Sequence, residues 1–210
     1  MPIILVTGFG AFPGAPSNPS AAIVRHLGGG ATRRFARLGI VLDRHVLPVV
    51  FDGAPERLAV LMARVRPDAV LHIGLAGRRQ TLSVETRAGN FTSQLHADAR
   101  RRMSATRYVT AKGAPALPSR VPAARLAESL RRAGIPARLS IDAGAYVCNQ
   151  TLYLTLMSDI AVAGFIHVPR PRGRLPLARR RRAARTTLAQ MVRGIESALL
   201  LLGIQLRRRA

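Results

Sequence analysis

The chain has 210 residues, 48% of them apolar, which is long enough to close one substantial core and too hydrophobic for a disordered chain. Thirty-three Lys and Arg against ten Asp and Glu give a formal charge of +23, yet aromatics are only 4% and tryptophan is absent, so no aromatic-basic platform for stacking nucleic-acid bases is present. No apolar run approaches the roughly 20 residues of a membrane span, and one cysteine, Cys148, cannot form an internal disulfide and fits a reducing cytosol.

Nearly all the positive charge is guanidinium, since Lys112 is the only lysine. Residues 170–210 hold twelve arginines and one glutamate. Non-specific, salt-dependent polyanion binding through this arginine-rich tail is physically expected. A run such as Ala178 to Arg185, ARRRRAAR, is nevertheless more often a solvated helix face than a specific site. The amino terminus MPIILVTGFG lacks a basic leader and runs straight into a strand-turn pattern, so it reads as mature structure.

In chain order, Ile3 to Val6 reads as a short buried strand. Ser17-Asn18-Pro19 starts a helix, with Asn18 able to cap and Pro19 at the first helical position, and Gly28-Gly29-Gly30 ends it. Val41 to Val50 is a second extended run. Asp52 is a candidate cap for a helix in which Leu58, Leu61, Met62 and Val65 recur at helical spacing, stopped by Pro67. Ala69 to Ile73 is continuous in apolar residues, as a central parallel strand should be. A shorter strand, Leu82 to Glu85, follows. Arg100 to Pro122 reads as a long surface loop with one short strand near Arg107 to Thr110. The spacing then predicts a helix over Ala123 to Ala133, a strand over Leu139 to Ile141, a helix from about Asn149 to Met157 and a last strand over Ala163 to Val168. A basic-apolar helix spans about Ala178 to Leu202. Its residues Leu188, Met191, Val192, Ile195, Leu199 and Leu202 share one face and are expected to seal the protein's own core.

Repeated β-α units argue for an α/β fold, a three-layer α/β/α sandwich with a mainly parallel central sheet. No internal repeat or domain boundary appears, so residues 1–210 are expected to form a single domain with a basic helix or tail at about 174–210. In such sheets functional groups gather past the carboxyl ends of strands. Cys148 sits at the turn into a helix, Glu85 ends LSVE and His167 ends AGFIH. A helix amino terminus and a neighbouring imidazolium both favour thiolate. Histidine can take and return a proton while a carboxylate holds its tautomer. The competing reading is a buried cysteine acting as a small hydrophobe beside a structural histidine. His26 and His45 read as solvated or satisfied, His72 inside LHIG reads as core, and no cluster has metal-ligand spacing.

The stretches ILVTGFGAFPGAPSNPS (Ile4 to Ser20), AGAYVCNQTLY (Ala143 to Tyr153) and AGFIHVP (Ala163 to Pro169) resemble, in order and spacing, three blocks of the pyroglutamyl-peptidase I family. The resemblance runs from residue 3 to about 170. It implies an α/β sandwich, often homo-oligomeric, acting as a cytoplasmic cysteine exopeptidase with no cofactor, whose substrates are peptides with a pyroglutamyl-blocked amino terminus. By position it makes Cys148 the nucleophile, His167 the general acid-base and Glu85, from SVETRAGN, the orienting carboxylate. Phe9, Phe12 and Asn18 fall on its lactam-pocket positions; plain core for the phenylalanines and a helix cap for Asn18 are the alternatives.

Two departures bear on specificity. Where the family reads isoleucine-glycine-glutamine-alanine-glycine-glycine, this chain reads IGLAGRR, so Leu75 replaces a glutamine that contacts the pyroglutamyl ring. One lost polar contact is worth on the order of 1–3 kcal/mol, unless Arg78 or Gln80 supplies it. Farther on, Leu95 stands in register with a family arginine, with Arg100 shifted nearby. The alternative function is a catalytically degenerate member that binds nucleic acid or other polyanions.

Overall fold

The protein's structure is a computed structural model that describes residues 1–172 and 186–208. The arginine run Ala178 to Arg185, and with it the expected start of the last helix, lies outside the described residues. In chain order the elements are β1 (Ile3–Phe9), α1 (Pro19–His26), α2 (Gly30–Arg37), β2 (Val41–Leu47), α3 (Gly53–Val65), β3 (Ala69–Leu75), β4 (Leu82–Glu85), β5 (Arg87–Gly89), β6 (Ala116–Pro118), α4 (Ala123–Arg132), β7 (Ala137–Ser140), α5 (Val147–Met157), β8 (Val162–Val168) and α6 (Leu188–Arg207).

Six strands form one sheet in the order β2-β1-β3-β8-β4-β7. The first four run parallel to one another; β4 and β7 are parallel to each other, and β4 meets β8 antiparallel. The central strands are buried on both faces, which explains why they read as unbroken apolar runs rather than alternating ones. On one face α1, α2, α4 and α6 cover Ile4, Val6, Leu71, Ile73 and Ile166. On the other, α3 and α5 cover Leu5, Phe9, Val70, Ala163 and Phe165. The result is the expected three-layer α/β/α sandwich with a mainly parallel sheet.

Local chemistry sets the helix ends. Asn18 accepts a hydrogen bond from Ser20 N at 3.1 Å with Pro19 at the first helical position, as the sequence predicts. Asp52 precedes α3 but its side chain makes no capping bond. The last helix opens on a capping box: Thr187 and Gln190 satisfy each other's backbone N–H groups. It runs on to Arg207, and its residues Met191, Ile195, Leu199 and Leu202 are buried in the core, with Leu188 and Val192 packed against it. This face therefore does close the protein's own core. Among the described residues, no helix is long and apolar enough to cross a membrane.

Two local expectations are corrected. Gly28 and Gly29 separate α1 from the unpredicted helix α2, which Gly30 opens and whose apolar anchors are only Ala31 and Phe35; two residues in eight give too faint a periodicity. Arg107 to Thr110 is not a strand. The pairing partner of β5 is β6, nearer Pro122. Thr110 is held instead by a side chain, with Asn90 Oδ1 accepting from its N–H and Asn90 Nδ2 donating to its carbonyl, each at 2.9 Å. An amide side chain thus supplies the pairing that a neighbouring strand would otherwise provide.

Candidate active site

Helix α5 starts two residues earlier than the sequence predicts, so Cys148 is its second residue rather than part of the turn before it. The residue before the helix, Tyr146, gives no side-chain cap, and the first-turn N–H groups of a helix have no intrahelical partners. The thiol packs over Gly74 of β3. A Cβ at Gly74 would stand 2.9 Å from Cys148 Sγ and 2.5 Å from Phe165 Cζ, so only glycine leaves room for both. Gly74 pairs in register with His167 of β8, and directly opposed residues share a sheet face. The rings of Phe165 and His167 lie 4.5 Å apart. Thiol and imidazole therefore occupy the same face on adjacent strands. Among the described residues no hydrogen bond joins them.

Glu85 arrives by a different route from the one the sequence suggests. Because β4 is antiparallel to β8, Ser83 lies opposite His167 and Glu85 opposite Phe165. The three groups do not gather past the carboxyl ends of parallel strands; Glu85 is instead the diagonal cross-strand neighbour of His167, within reach on one face. His167 Nδ1 is 2.7 Å from Glu85 Oε1. With the carboxylate accepting, the neutral ring carries its proton on Nδ1 and presents Nε2 as the free base.

A second donor on Glu85 comes from the loop after β3. Arg79 Nη1 donates to the same Oε1 at 2.5 Å, and its Nη2 donates to the carbonyl of Asp142 at 2.5 Å. Glu85 has no solvent exposure and Arg79 17%. Burial raises the Glu85 carboxyl, but His167, Ser140 and Arg79 together outweigh it and leave it below the ordinary value. Burial also dominates at His167 and lowers it despite Glu85. The Cys148 thiol is pushed up to about 12, first by burial and then by the Glu85 charge. Both shifts oppose the thiolate that the sequence reading expects, although Cys148 is only half-buried. Against them, backbone N–H at the start of α5 lowers the thiol.

Cys148, His167 and Arg79 border a cleft of about 630 Å³ whose lining also includes Phe12, Leu75, Arg78, Tyr146 and Arg170, with Glu85 behind His167. Larger space lies along α4 and α6, but no thiol or imidazole borders it. Of the residues the sequence assigns to a lactam pocket, Phe12 and Leu75 line the cleft with Cys148 and His167. Phe9 does not; it is 1% exposed and stacks on Phe165 at 6.0 Å between ring centroids. The polar atoms of Asn18 are committed to Gly10 O and Ser20, so Asn18 holds the β1-α1 turn. Arg78 borders the cleft, whereas Gln80 and Arg100 do not. Leu95 is 83% exposed.

Several lining residues escape the sequence reading. Tyr146 faces Phe12 at 5.9 Å between ring centroids and is fixed by donating its hydroxyl to Ala97 O at 2.8 Å, so the aromatic wall is Phe12 with Tyr146 in place of Phe12 with Phe9. Its place two residues before the only cysteine is a usable signal. Arg170, three residues past His167, donates to Gly14 O at 2.6 Å and ties the end of β8 to the Phe12–Ala15 turn.

Comparison with known proteins follows the same lines. The family model described as Pyroglutamyl peptidase matches residues 3–199, so the likeness extends through most of α6 rather than stopping near residue 170. The chain is similar to the pyrrolidone-carboxylate peptidase of Cupriavidus pinatubonensis, 36% identical over 95% of this chain and 92% of that protein. Among solved structures it resembles a mutant pyrrolidone carboxyl peptidase from the hyperthermophile Pyrococcus furiosus, with TM-score 0.86 and 27% identity over 97% and 99% of the two chains. The pyrrolidone carboxyl peptidase of Thermus thermophilus superposes with TM-score 0.79 and 36% identity over 93% and 98%.

Proposed function

The chain belongs to the pyroglutamyl peptidase family, cysteine peptidases that remove an amino-terminal pyroglutamyl residue, and on that premise we propose that Cys148, His167 and Glu85 carry this reaction here. The observation that supports it most is the buried Glu85 to His167 bond at 2.7 Å, with His167 bordering the cleft that also holds the chain's one thiol.

The geometry lets one imidazole serve both proton transfers. As Cys148 Sγ approaches the carbonyl carbon that joins the pyroglutamyl ring to the next residue, His167 Nε2 takes the thiol proton and the S–C bond forms. The uncapped amino terminus of α5 offers N–H groups to the developing oxyanion. Glu85 accepts from Nδ1–H and stabilises the imidazolium. Collapse breaks the C–N bond, and His167 returns its proton to the leaving amine. Water, activated by the same ring, then hydrolyses the thioester and releases pyroglutamate.

Substrate chemistry fits the cleft. Phe12 and Tyr146 present aromatic surface to a flat lactam. Arg78, Arg79 and Arg170 line the cleft with Asp142 as the acid among them. A pyroglutamyl end brings no ammonium group into this cationic mouth, whereas a free amino terminus would. Leu75 offers the ring no hydrogen bond, so selectivity rests on the remaining polar groups. Retention of the buried, paired carboxylate, which serves no purpose in polyanion binding, favours catalysis over the binding-only reading.

The test compares amide reporters of pyroglutamate and of proline, which differ by the lactam carbonyl and by the positive charge that the prolyl amine carries. The expected preference in kcat/KM for the pyroglutamyl reporter is about 10²-fold or more. Equal rates on the two would overturn the lactam specificity.

A further inference from the structure

We infer that Arg79 is a positioning residue that keeps Glu85 ionised in the resting enzyme and fixes it relative to the loop that delivers Cys148. The inference rests on the proposed Cys148-His167-Glu85 reading and adds to it a fourth group.

The need for such a group follows from the resting state. Glu85 has no exposure to water, and an unpaired carboxylate in that setting takes up a proton. A neutral His167 donates a hydrogen bond but brings no positive charge. Among the described residues, His167 faces Glu85 from β8, Ser140 is its register partner on β7, Cys148 on α5 feels its charge, and Asp142, in the loop before α5, acts on His167. Arg79 is, among the described residues, the one permanent cation paired with Glu85. Its Nη1 meets Oε1 at 2.5 Å while its Nη2 holds the Asp142 carbonyl at 2.5 Å, six residues before the nucleophile. A planar guanidinium can hold both at fixed geometry; an ammonium group cannot. One side chain thus links the carboxylate to the loop that leads into α5.

The same charge acts on the ring. Arg79 lowers the basicity of His167, which makes the imidazolium formed during attack readier to return its proton to the departing amine. Removing Arg79 therefore raises both Glu85 and His167. Both changes push the active form, ionised Glu85 with neutral His167, to higher pH.

The experiment measures kcat, KM and the pH dependence of kcat/KM for Arg79→Ala and Arg79→Lys on the pyroglutamyl-amide reporter, with rates normalised to titrated active sites. For Arg79→Ala the expected result is a fall in kcat of about 10²-fold, a KM within a few-fold of wild type and an acidic limb displaced to higher pH. Arg79→Lys should restore the limb but only part of kcat, and added guanidinium ion should partly rescue Arg79→Ala. An acidic limb at the wild-type position in Arg79→Ala, with loss confined to the titratable fraction, would overturn the inference. Should Arg79→Ala fail to fold, Arg79→Gln and Arg79→Lys decide by the same limb. Full activity in Cys148→Ala would remove the underlying reading; an inactive Cys148→Ala beside an unshifted Arg79 variant would remove only this addition.

Discussion

Cys148→Ala is expected to hydrolyse a pyroglutamyl-amide reporter at least about 10³-fold more slowly than wild type, with its melting temperature nearly unchanged. The size follows from the loss of the only group that can form the thioester. The small effect on stability follows from the loss of one sulfur atom at the edge of a cleft. His167→Ala should fall to a similar level, because the base has no function without the nucleophile it deprotonates. The double variant should be no worse than the poorer single one, since groups that act as a unit do not add. Steady-state kinetics on the three variants, with melting curves for each, measure this. Activity within tenfold of wild type in Cys148→Ala would exclude the assignment.

The second large effect concerns a histidine away from the chemistry. His72 is fully buried and bonded on both ring nitrogens, to Thr7 Oγ1 at 2.6 Å and Thr155 Oγ1 at 2.8 Å. The Thr155 hydroxyl donates to Thr151 O, so its oxygen must accept from Nε2–H, and Thr7 donates to Nδ1. Only the neutral ring satisfies this chain, and burial lowers its pKa from 6.5 to about 3. The folded state therefore binds fewer protons than the unfolded state between those values. The contribution is fully present above pH 6.5 and is lost as pH falls toward 3. Urea unfolding at pH 7.5 and 4.5 should show wild type losing about 2–3 kcal/mol more than His72→Leu over that interval. His167, also lowered, contributes equally to both proteins and cancels. Parallel losses in the two would show that His72 does not stay neutral on folding.

Much of this architecture is legible in the sequence, and what is not has physical reasons. Central strands buried on both faces produce apolar runs that are hard to miss, and Asn18-Pro19 states a helix start in chemical terms. Helix α2, with two apolar anchors, leaves almost no periodic trace. The Thr187-x-x-Gln190 capping box was available to place the start of α6, but the arginines before it continue a helical composition that hides the boundary. At the site, Cys148, His167 and Glu85 stand out by residue type and by their place at element ends. Arg79 does not. It acts from a loop across space to Glu85 and Asp142, and no spacing rule encodes that reach. Phe9 and Phe12 look alike in the sequence, but one lies on a strand face turned into the core and the other follows the turn into the cleft. Tyr146 takes the place expected of Phe9 because the start of α5 brings it beside Phe12.

The proposed reaction passes through a thioester on Cys148 that forms only with the help of His167. Acid-quenched mixing of the full-length enzyme with excess pyroglutamyl-amide reporter, followed by mass measurement of the Cys148 peptide, tests this directly. One pyroglutamyl acyl group is expected on Cys148 during turnover and none in His167→Ala. Turnover that proceeds while Cys148 stays unmodified, or an acyl group carried by any other residue, would contradict it.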